Sequence, residues 1–323
     1  MEEYNDNFSS HLYVDKIQEM REKISSVIAG QEKVADLILT AILADGHVLI
    51  EGVPGVAKTL TARLISKLIN AVFSRMQFTS DLMPSDVLGT NVFNMSTNTF
   101  EFHKGPAFGD IILVDEINRA PAKTQSALFE IMEERQTTID GKCYSMGDVY
   151  TIVATQNPIE QEGTYRLPEA QLDRFLFKIN MGYPKLEDEI KVLRAHDQTK
   201  NFTKLNEIQP ILTKEELLDL REKAHKIFID EKMITYIAQL IQETRQNKSI
   251  YLGASPRASI ALMETSKAFA LIQGRNFVIP DDIKMLIDSV LCHRILLTAE
   301  AEMEGITIEN VIDSIVEKVE VPK

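Results

Sequence analysis

The chain has 323 residues, of which 44% are hydrophobic and 26% are charged, so it is long enough for two domains with a sizeable core. Its formal net charge of −13 argues against a protein that binds nucleic acid through a broad basic surface. The 2 cysteines lie far apart, the first residues are acidic and polar, and no apolar run reaches the roughly 18 residues of a membrane span. We therefore expect a cytoplasmic protein with reduced thiols, no secretory signal and no membrane span.

Hydrophobic spacing predicts alternating helices and strands over the first part of the chain. Helices are expected over residues 11–29 and 31–44, a buried strand over residues 47–51 and another helix over residues 59–70. The later strands and helix of this region are expected at residues 74–78, 110–116, 122–134 (the helix), 149–154 and 175–179. This alternation predicts an α/β fold with a mostly parallel sheet flanked by helices.

Two β-hairpins interrupt this pattern, and a helical region follows it. The hairpins are expected at residues 92–103 and 137–144, where Asp140 and Gly141 supply turn residues with positive φ. From residue 185 to residue 316 nearly every segment has helical periodicity, which predicts a small all-helical second domain. The predicted domains are therefore residues 1–183, an α/β domain with N-terminal helices, and residues 184–323, a helical domain.

The stretch EGVPGVAKTL, residues 51–60, nearly matches the phosphate-binding loop G-x-x-x-x-G-K-[ST]. Gly52, Lys58 and Thr59 fit the pattern, and a strand before the loop and a helix after it supply the required context. Backbone N–H groups and the helix dipole would hold phosphate oxygens, Lys58 would add charge for the terminal phosphates, and the Thr59 hydroxyl would be offered to Mg²⁺. A glycine-rich turn with an incidental lysine is the alternative.

Ala57 stands where the phosphate-loop pattern has its second glycine. A methyl group costs little there if the backbone φ is near its helical value, whereas a positive φ would strain an alanine. We predict a negative φ at Ala57, suited to a residue with a Cβ.

The apolar run of residues 111–114 ends in two acids, Asp115 and Glu116. They lie at the carboxyl end of a predicted central strand, which is where open α/β sheets bind their ligands. Asp115 would hold Mg²⁺ through water, and Glu116 would orient and deprotonate an attacking water. The alternative is a solvated turn between a strand and a helix.

Three more polar residues are candidates for the same site. Asn157 follows a predicted strand and would touch the γ-phosphate or the attacking water, although an Asn-Pro turn is the alternative. Arg174 precedes another strand and is either an arginine finger for a neighbouring subunit or a surface ion-pair partner. Arg257 follows a proline near a helix start, where the helix dipole disfavours a cation, so an anionic ligand or simple solvation would explain it.

With these residues in place, the chain resembles the AAA+ ATPases and, within that class, the MoxR family. The resemblance extends from residue 28 to residue 295. Its most specific segments are residues 51–59, 77–86, 114–121, 154–158 and 167–175.

The resemblance implies a P-loop NTPase core with two hairpin inserts and a small helical lid domain that carries sensor 2. It implies that ATP or ADP is bound with Mg²⁺, that Thr59 and Asp115 hold the metal, and that Glu116 is the Walker B base. It makes Asn157 sensor 1, Arg174 the arginine finger and Arg257 sensor 2. The nucleotide-contacting residues of its Walker A loop would be Gly52, Val53, Pro54, Gly55, Val56, Ala57, Lys58, Thr59 and Leu60, with Asp115 beside them. Alanine before the Walker lysine is a variant that MoxR-like proteins often show.

The two predicted hairpins match the helix-2 insert and the pre-sensor-1 insert of that clade, and both would face a central pore or a partner. Phe100 and Phe102 are apolar residues of the first hairpin, and either core packing or partner contact would explain them.

The family resemblance implies an ATP-driven, chaperone-like remodeller of protein complexes. It would act as a hexameric ring with Arg174 in trans, on protein clients and with a partner that carries a von Willebrand factor A domain. A DNA motor, a magnesium-chelatase-type motor subunit and a non-hydrolysing scaffold are the alternatives. The acidic charge and the lack of basic character in both hairpins argue against DNA, and Glu116 argues against the scaffold.

Overall fold

The computed structural model describes residues 10–28, 30–53, 55–158, 164–198 and 208–322. Contacts divide the chain into two compact units, Met1–Ala44 with Ile211–Lys323, and Asp45–Pro210. This grouping places the N-terminal helices with the C-terminal ones, whereas the boundary predicted between residues 183 and 184 assigned them to the nucleotide-binding part. Because a contact-based grouping and a functional domain need not coincide, the predicted boundary stays a prediction.

The helices and strands follow one another in chain order as α1 (Ser10–Val27), α2 (Glu32–Leu43), β1 (Val48–Gly52), α3 (Lys58–Leu68), β2 (Phe73–Gln77), α4 (Pro84–Leu88), β3 (Gly89–Asn94), β4 (Thr99–Lys104), β5 (Ile111–Asp115), a 3₁₀ turn (Ile117–Arg119), α5 (Ala122–Glu134), β6 (Gln136–Ile139), β7 (Lys142–Ser145), β8 (Thr151–Gln156), α6 (Glu169–Leu172), β9 (Phe177–Met181), α7 (Leu186–Gln198), α8 (Lys214–His225), α9 (Glu231–Gln246), β10 (Ile250–Leu252), α10 (Pro256–Ile272), α11 (Pro280–Leu291), β11 (Leu296–Leu297), α12 (Ala299–Met303) and α13 (Ile308–Lys318).

A parallel sheet forms the centre of the unit Asp45–Pro210. Its strand order is β2-β5-β8-β1-β9, and every pairing is parallel. β5 is buried along its whole length, and β8 is buried except at its last residue, because helices cover both faces of such a sheet. The predicted α/β fold with a parallel sheet is confirmed.

The strand order brings three carboxyl ends together at one edge of the sheet. β8 lies between β1 and β5, so the loop after Gly52, the residue Asn157 and the acids at Asp115 and Glu116 follow adjacent strands. Open parallel sheets bind ligands at this edge. The fold therefore gathers the phosphate loop and both acids on the same side.

The two predicted hairpins are present as β3–β4 and β6–β7, and they pack against each other. The ring of Phe102 lies 4.3 Å from that of Tyr144, centroid to centroid, and Asn91 donates a hydrogen bond to Asp140. The turn of the second hairpin has positive φ at Asp140 (50°) and Gly141 (76°), as predicted.

Phe100 and Phe102 have different surroundings within the first hairpin. Phe102 is half-buried between Tyr144 and Phe108, whereas Phe100 is 71% exposed and contacts Phe93 edge to face at 5.2 Å between ring centroids. Packing therefore accounts for Phe102, while Phe100 presents an aromatic ring to solvent.

The second unit consists of α1, α2 and the elements from α8 to α13, with α10 packed against α2, α8, α9 and α11. Helix α8 begins at a capping box: the Thr213 hydroxyl accepts a hydrogen bond from the Glu216 backbone N–H at 3.2 Å, and the Glu216 carboxylate accepts one from the Thr213 N–H at 3.0 Å. The short antiparallel pair β10–β11 was not predicted, because strands of three and two residues are too short to show alternation.

Among the described residues, no helix combines the length and the apolar character that crossing a bilayer requires. Cys143 is an exposed free thiol and Cys292 a buried one.

Gly52 lies at the end of β1, where the backbone of β9 approaches it closely. A Cβ at Gly52 would lie 2.4 Å from the Met181 carbonyl oxygen, so Gly52→Ala should lower the free energy of unfolding by about 1–3 kcal/mol and displace the phosphate loop. Gly182→Ala is the matched control, because a Cβ there meets nothing within 4 Å. Urea denaturation of both variants measures the difference, and equal stability would contradict the close approach of the two strands.

Candidate functional site

The loop between β1 and α3 is the predicted phosphate-binding loop. Gly55 has φ +87°, and a Cβ there would meet nothing within 4 Å, so glycine is needed for its backbone conformation and not for space. The Lys58 Nζ donates to the Gly52 carbonyl oxygen at 2.7 Å, which holds the lysine across the mouth of the loop. The side chain of Val56 is buried and anchors the loop, while Val53, Thr59 and Leu60 are half-buried. Pro54 lies outside the described residues.

The prediction of a negative φ at Ala57 is wrong. Ala57 has φ 64° and ψ 21° and is the N-cap residue that precedes α3. Its carbonyl oxygen accepts from the Thr61 backbone N–H at 3.0 Å and from the Thr61 hydroxyl at 3.0 Å, so the start of the helix fixes its orientation. A left-handed alanine costs about 1–2 kcal/mol relative to the right-handed conformation, and such strain persists where the surrounding structure determines it.

Asp115 ends β5 and is 7% exposed. Its Oδ2 accepts a hydrogen bond from Arg75 Nε at 2.7 Å, and its Oδ1 accepts one from the Thr155 hydroxyl at 3.3 Å. The Thr155 oxygen in turn accepts from the Glu116 backbone N–H at 3.1 Å. Thr155 on β8 therefore links the two acids that end β5.

Glu116 follows in a left-handed conformation, with φ 57° and ψ 51°. Its Oε2 accepts a hydrogen bond from Gln77 Nε2 at 2.7 Å and pairs with Arg119 Nε at 3.1 Å. A non-glycine residue is uncommon at positive φ. This conformation lies at the turn between β5 and the 3₁₀ turn, and the Glu116 carboxylate there contacts Gln77 on β2 and Arg119 in the 3₁₀ turn. The side chain is thus held by one amide and one cation.

Asn157 follows β8 and is 6% exposed. It lies between the phosphate loop after β1 and the acids after β5, because β8 separates those strands. The strand order thus places Asn157 beside the loop after β1 and the two acids after β5, and its sensor role stays a prediction.

The oxygen ligands at this edge fit Mg²⁺. Thr59 offers a hydroxyl and Asp115 a carboxylate, and hard oxygen donors are what Mg²⁺ prefers. Within the described residues no group of three or more His, Cys, Asp or Glu side chains could hold a metal ion by itself. A cation at Asp115 would therefore take most of its ligands from nucleotide phosphates and water, as Mg²⁺ does in nucleotide sites.

Arg174 lies away from this edge. It precedes β9, and the Leu176 backbone N–H donates to the His47 carbonyl oxygen at 2.8 Å, so this segment is at the amino ends of β9 and β1. The Arg174 guanidinium pairs with the Glu133 carboxylate at 2.9 Å and donates to the Phe129 carbonyl oxygen at 3.3 Å, both on α5. Within its own chain Arg174 is thus an ion-pair partner, and its finger role stays a prediction.

Arg257 occupies the second position of α10, which begins at Pro256 after the cap residue Ser255. The expected place at a helix start is confirmed, and the side chain is exposed. Its sensor role stays a prediction.

Four residues around the acids were missed by the sequence reasoning: Arg75, Gln77, Arg119 and Thr155. Arg75 and Gln77 lie two residues apart on β2, so two polar side chains on the same face of the predicted strand over residues 74–78 were the available signal. Arg119 could have been found from its spacing of three residues from Glu116. Thr155 gave no signal, because a threonine in a strand is ordinary.

Comparisons with known proteins show the family to which the chain belongs. Residues 47–177 match the family described as "ATPase family associated with various cellular activities (AAA)", and residues 242–315 match the "AAA lid domain". The chain is 47% identical over 301 residues to "Uncharacterized protein YeaC" of Bacillus subtilis, with 93% of each chain covered. It is 40% identical over 310 residues to "Chaperone MoxR1" of Mycobacterium tuberculosis, covering 93% of this chain and 81% of that protein.

A solved structure of a "putative ATPase" from Cytophaga hutchinsonii superposes with a TM-score of 0.90 at 42% identity, covering 97% of both chains. The fold and the site define an AAA ATPase. The chain belongs to that class and, within it, to the MoxR family.

Substitutions at Ala57 test whether its left-handed backbone conformation is strained. Ala57→Gly should keep nucleotide binding and change the free energy of unfolding by less than about 1 kcal/mol, because relief of the left-handed strain opposes the entropy cost of glycine. Ala57→Val should lower that free energy by at least about 1 kcal/mol and weaken ATP binding, because β-branched residues tolerate positive φ poorly. Chemical denaturation and equilibrium binding of a fluorescent ATP analogue are the measurements.

The control is Ala71→Val, which adds the same two methyl groups in the loop before β2 at a residue without a positive φ. An Ala57→Val protein as stable as Ala71→Val, with wild-type nucleotide affinity, would contradict the left-handed conformation.

Proposed function

We propose that this protein binds and hydrolyses ATP with Mg²⁺ and, as a hexameric ring in the cytoplasm, remodels protein complexes. The observation that supports the proposal is the adjacency of β1, β8 and β5, because the predicted phosphate loop, the buried Asn157 and two acids follow these strands at one edge of the sheet. Membership of the AAA ATPases supports it, since that family is named for its ATPases.

Each site residue would have its own role in ATP hydrolysis. The backbone of residues 52–60 and the Lys58 ammonium would bind the phosphates, and Thr59 and Asp115 would hold the metal. Bound Mg²⁺ supplies charge neutralisation on the phosphate oxygens. Glu116 would accept the proton of a water whose oxygen attacks the γ-phosphorus, while the bond from that phosphorus to the bridging oxygen breaks and ADP leaves. Asn157 would orient that water or contact the γ-phosphate.

A second copy of the chain would complete the site. Arg174 lies at the amino ends of β9 and β1, and the phosphate loop lies at the carboxyl end of β1. At the usual strand rise the five residues of β1 separate these ends by roughly 16 Å. Arg174 is therefore poorly placed for its own nucleotide, which supports a role at the nucleotide of a neighbouring protomer. Arg257, on the lid, would act on the nucleotide of its own chain.

The first hairpin would contact protein clients. Its exposed apolar residues are Val92, Phe93, Met95 and Phe100. Exposed apolar clusters are typical of protein interaction sites. One relative, "Chaperone MoxR1", carries a name that fits such a role, and the family resemblance adds a partner with a von Willebrand factor A domain.

A DNA motor is the main competitor, since helicases of this clade share both hairpins. A strand-tracking hairpin needs cations to displace the counterions of the phosphate backbone. The first hairpin instead exposes the apolar side chains of Val92, Phe93, Met95 and Phe100, and the chain carries a net charge of −13. The remodelling function therefore fits the observed surface better.

Glu116→Gln tests the reaction and the client class together. The variant should bind ATP with wild-type affinity and hydrolyse it at least about 100-fold more slowly, because it lacks the general base. Held in the ATP state, it should retain protein clients in a pull-down. Glu130→Gln, an exposed glutamate on α5, is the matched control and should turn over normally.

Three outcomes would count against the proposal. Normal turnover in Glu116→Gln would remove Glu116 from the base role. Strong stimulation of the wild-type ATPase by single-stranded or duplex DNA would favour the motor over the remodeller. Chelatase activity with a porphyrin substrate would favour a magnesium-chelatase-type motor subunit.

Arg174→Ala tests the shared site. We expect it to bind ATP normally and to lose turnover by about 10³-fold or more, which is the usual contribution of an arginine finger. Glu133→Gln is the decisive control, because it breaks the ion pair with Arg174 and leaves the arginine in place. If both variants lose activity equally, or if Arg174→Ala hydrolyses ATP like the wild type, then Arg174 is only an ion-pair partner of α5.

A further inference from the structure

Arg75 contacts the proposed metal-binding carboxylate directly. Its Nε lies 2.7 Å from Asp115 Oδ2, and the two side chains are 53% and 10% exposed respectively. An arginine and a divalent cation are both positive, so they compete for the same carboxylate. This contact has no role in the nucleotide chemistry proposed above.

The ion pair is not needed to align the strands. β2 and β5 are already held in register by backbone pairing from Phe73 opposite Ile111 to Gln77 opposite Asp115. The Asp115 carboxylate, however, is nearly buried, and a buried charge without a compensating partner is strongly destabilising. The Thr155 hydroxyl alone, at 3.3 Å from Oδ1, supplies a hydrogen bond but no opposite charge.

Because the Arg75 side chain is largely exposed, its contact with Asp115 can break and form again. Over half of its side chain already reaches solvent, so the guanidinium can withdraw to water with little change in its solvation free energy. Asp115 cannot withdraw in this way, because it ends a buried central strand. The mobile member of the pair is therefore the cation.

We propose that Arg75 is a positioning residue that neutralises and holds Asp115 in the absence of a divalent cation, and that it leaves the carboxylate when Mg²⁺ arrives with nucleotide. This inference rests on the proposed function, in which Asp115 holds the metal. The exchange substitutes a double charge for a single one at the same carboxylate. Arg75 thereby raises the Mg²⁺ concentration needed to half-saturate the site. In the absence of metal it holds the Asp115 carboxylate in place and compensates its charge.

A double-mutant cycle measures the contact without any turnover. Arg75→Gln, Asp115→Asn and the double variant are compared with the wild type by thermal unfolding, first in EDTA and then with saturating Mg²⁺ and ADP. In EDTA the effects of the two changes should be coupled, with Arg75→Gln lowering the melting temperature only when Asp115 is present. With Mg²⁺ and ADP that coupling should vanish. Equal coupling in both conditions would overturn the proposal, because it would make the pair a permanent structural one.

A magnesium titration gives the second readout. Binding of a fluorescent ADP analogue is followed as Mg²⁺ is added, and Arg75→Gln should lower the half-saturating Mg²⁺ concentration by about three- to tenfold, as expected for removing one partly solvated repulsive charge. Arg75→Lys keeps a cation and should stay near the wild-type value. Arg166→Gln removes an exposed arginine paired with Glu169 instead, and should leave the requirement unchanged.

The outcomes separate this inference from the proposed function. If the wild type binds no ADP, the proposed function fails and this inference fails with it. If ADP binds but Arg75→Gln has an unchanged or higher magnesium requirement, only the role of Arg75 is overturned.

Discussion

The parallel pairing of β1, β8 and β5 is the constraint on which the candidate site depends. Parallel strands all end at the same edge, so the order of these three strands decides which residues meet there. Gly52 permits the close approach of β9 to β1, and the phosphate loop begins immediately beyond it. A different strand order would leave the same motifs intact in the sequence and separated in space.

Charged side chains and residues with positive φ lie together at this edge of the sheet, and neighbouring residues pair with the charges and hold the turns. Asp115 faces Arg75, and Glu116 faces Arg119 and Gln77. Ala57 and Glu116, the residues at which the chain turns away from the sheet, both have positive φ. Strained turns of this kind persist where packing and hydrogen bonds determine them, and they are typical of functional sites.

The parts of this structure that could be predicted from sequence are those encoded locally. The apolar run before Asp115 and the glycine-rich loop before Lys58 each fit within a few residues, and the Asp140-Gly141 turn is specified by its own dipeptide. The φ of Ala57 was predicted wrongly, because it depends on how the loop meets the first hydrogen bond of α3 and not on residue type alone.

Contacts between segments that are far apart in the chain could not be predicted from the sequence. The pair Arg75–Asp115 depends on the register of β2 against β5, and the packing of Phe102 on Tyr144 joins hairpins that local patterns describe one at a time. The grouping of α1 and α2 with the C-terminal helices likewise follows from tertiary packing, which helical periodicity does not specify.

The central claim is that the edge formed by β1, β8 and β5 is the nucleotide site, and ATP binding to a Lys58→Ala protein tests it most directly. Lys58 begins α3 beside the loop, and Lys67 in the last turn of the same helix provides a control substitution, Lys67→Ala. Equilibrium binding of labelled ATP should be lost in Lys58→Ala and retained in Lys67→Ala. Wild-type affinity in Lys58→Ala would contradict the site.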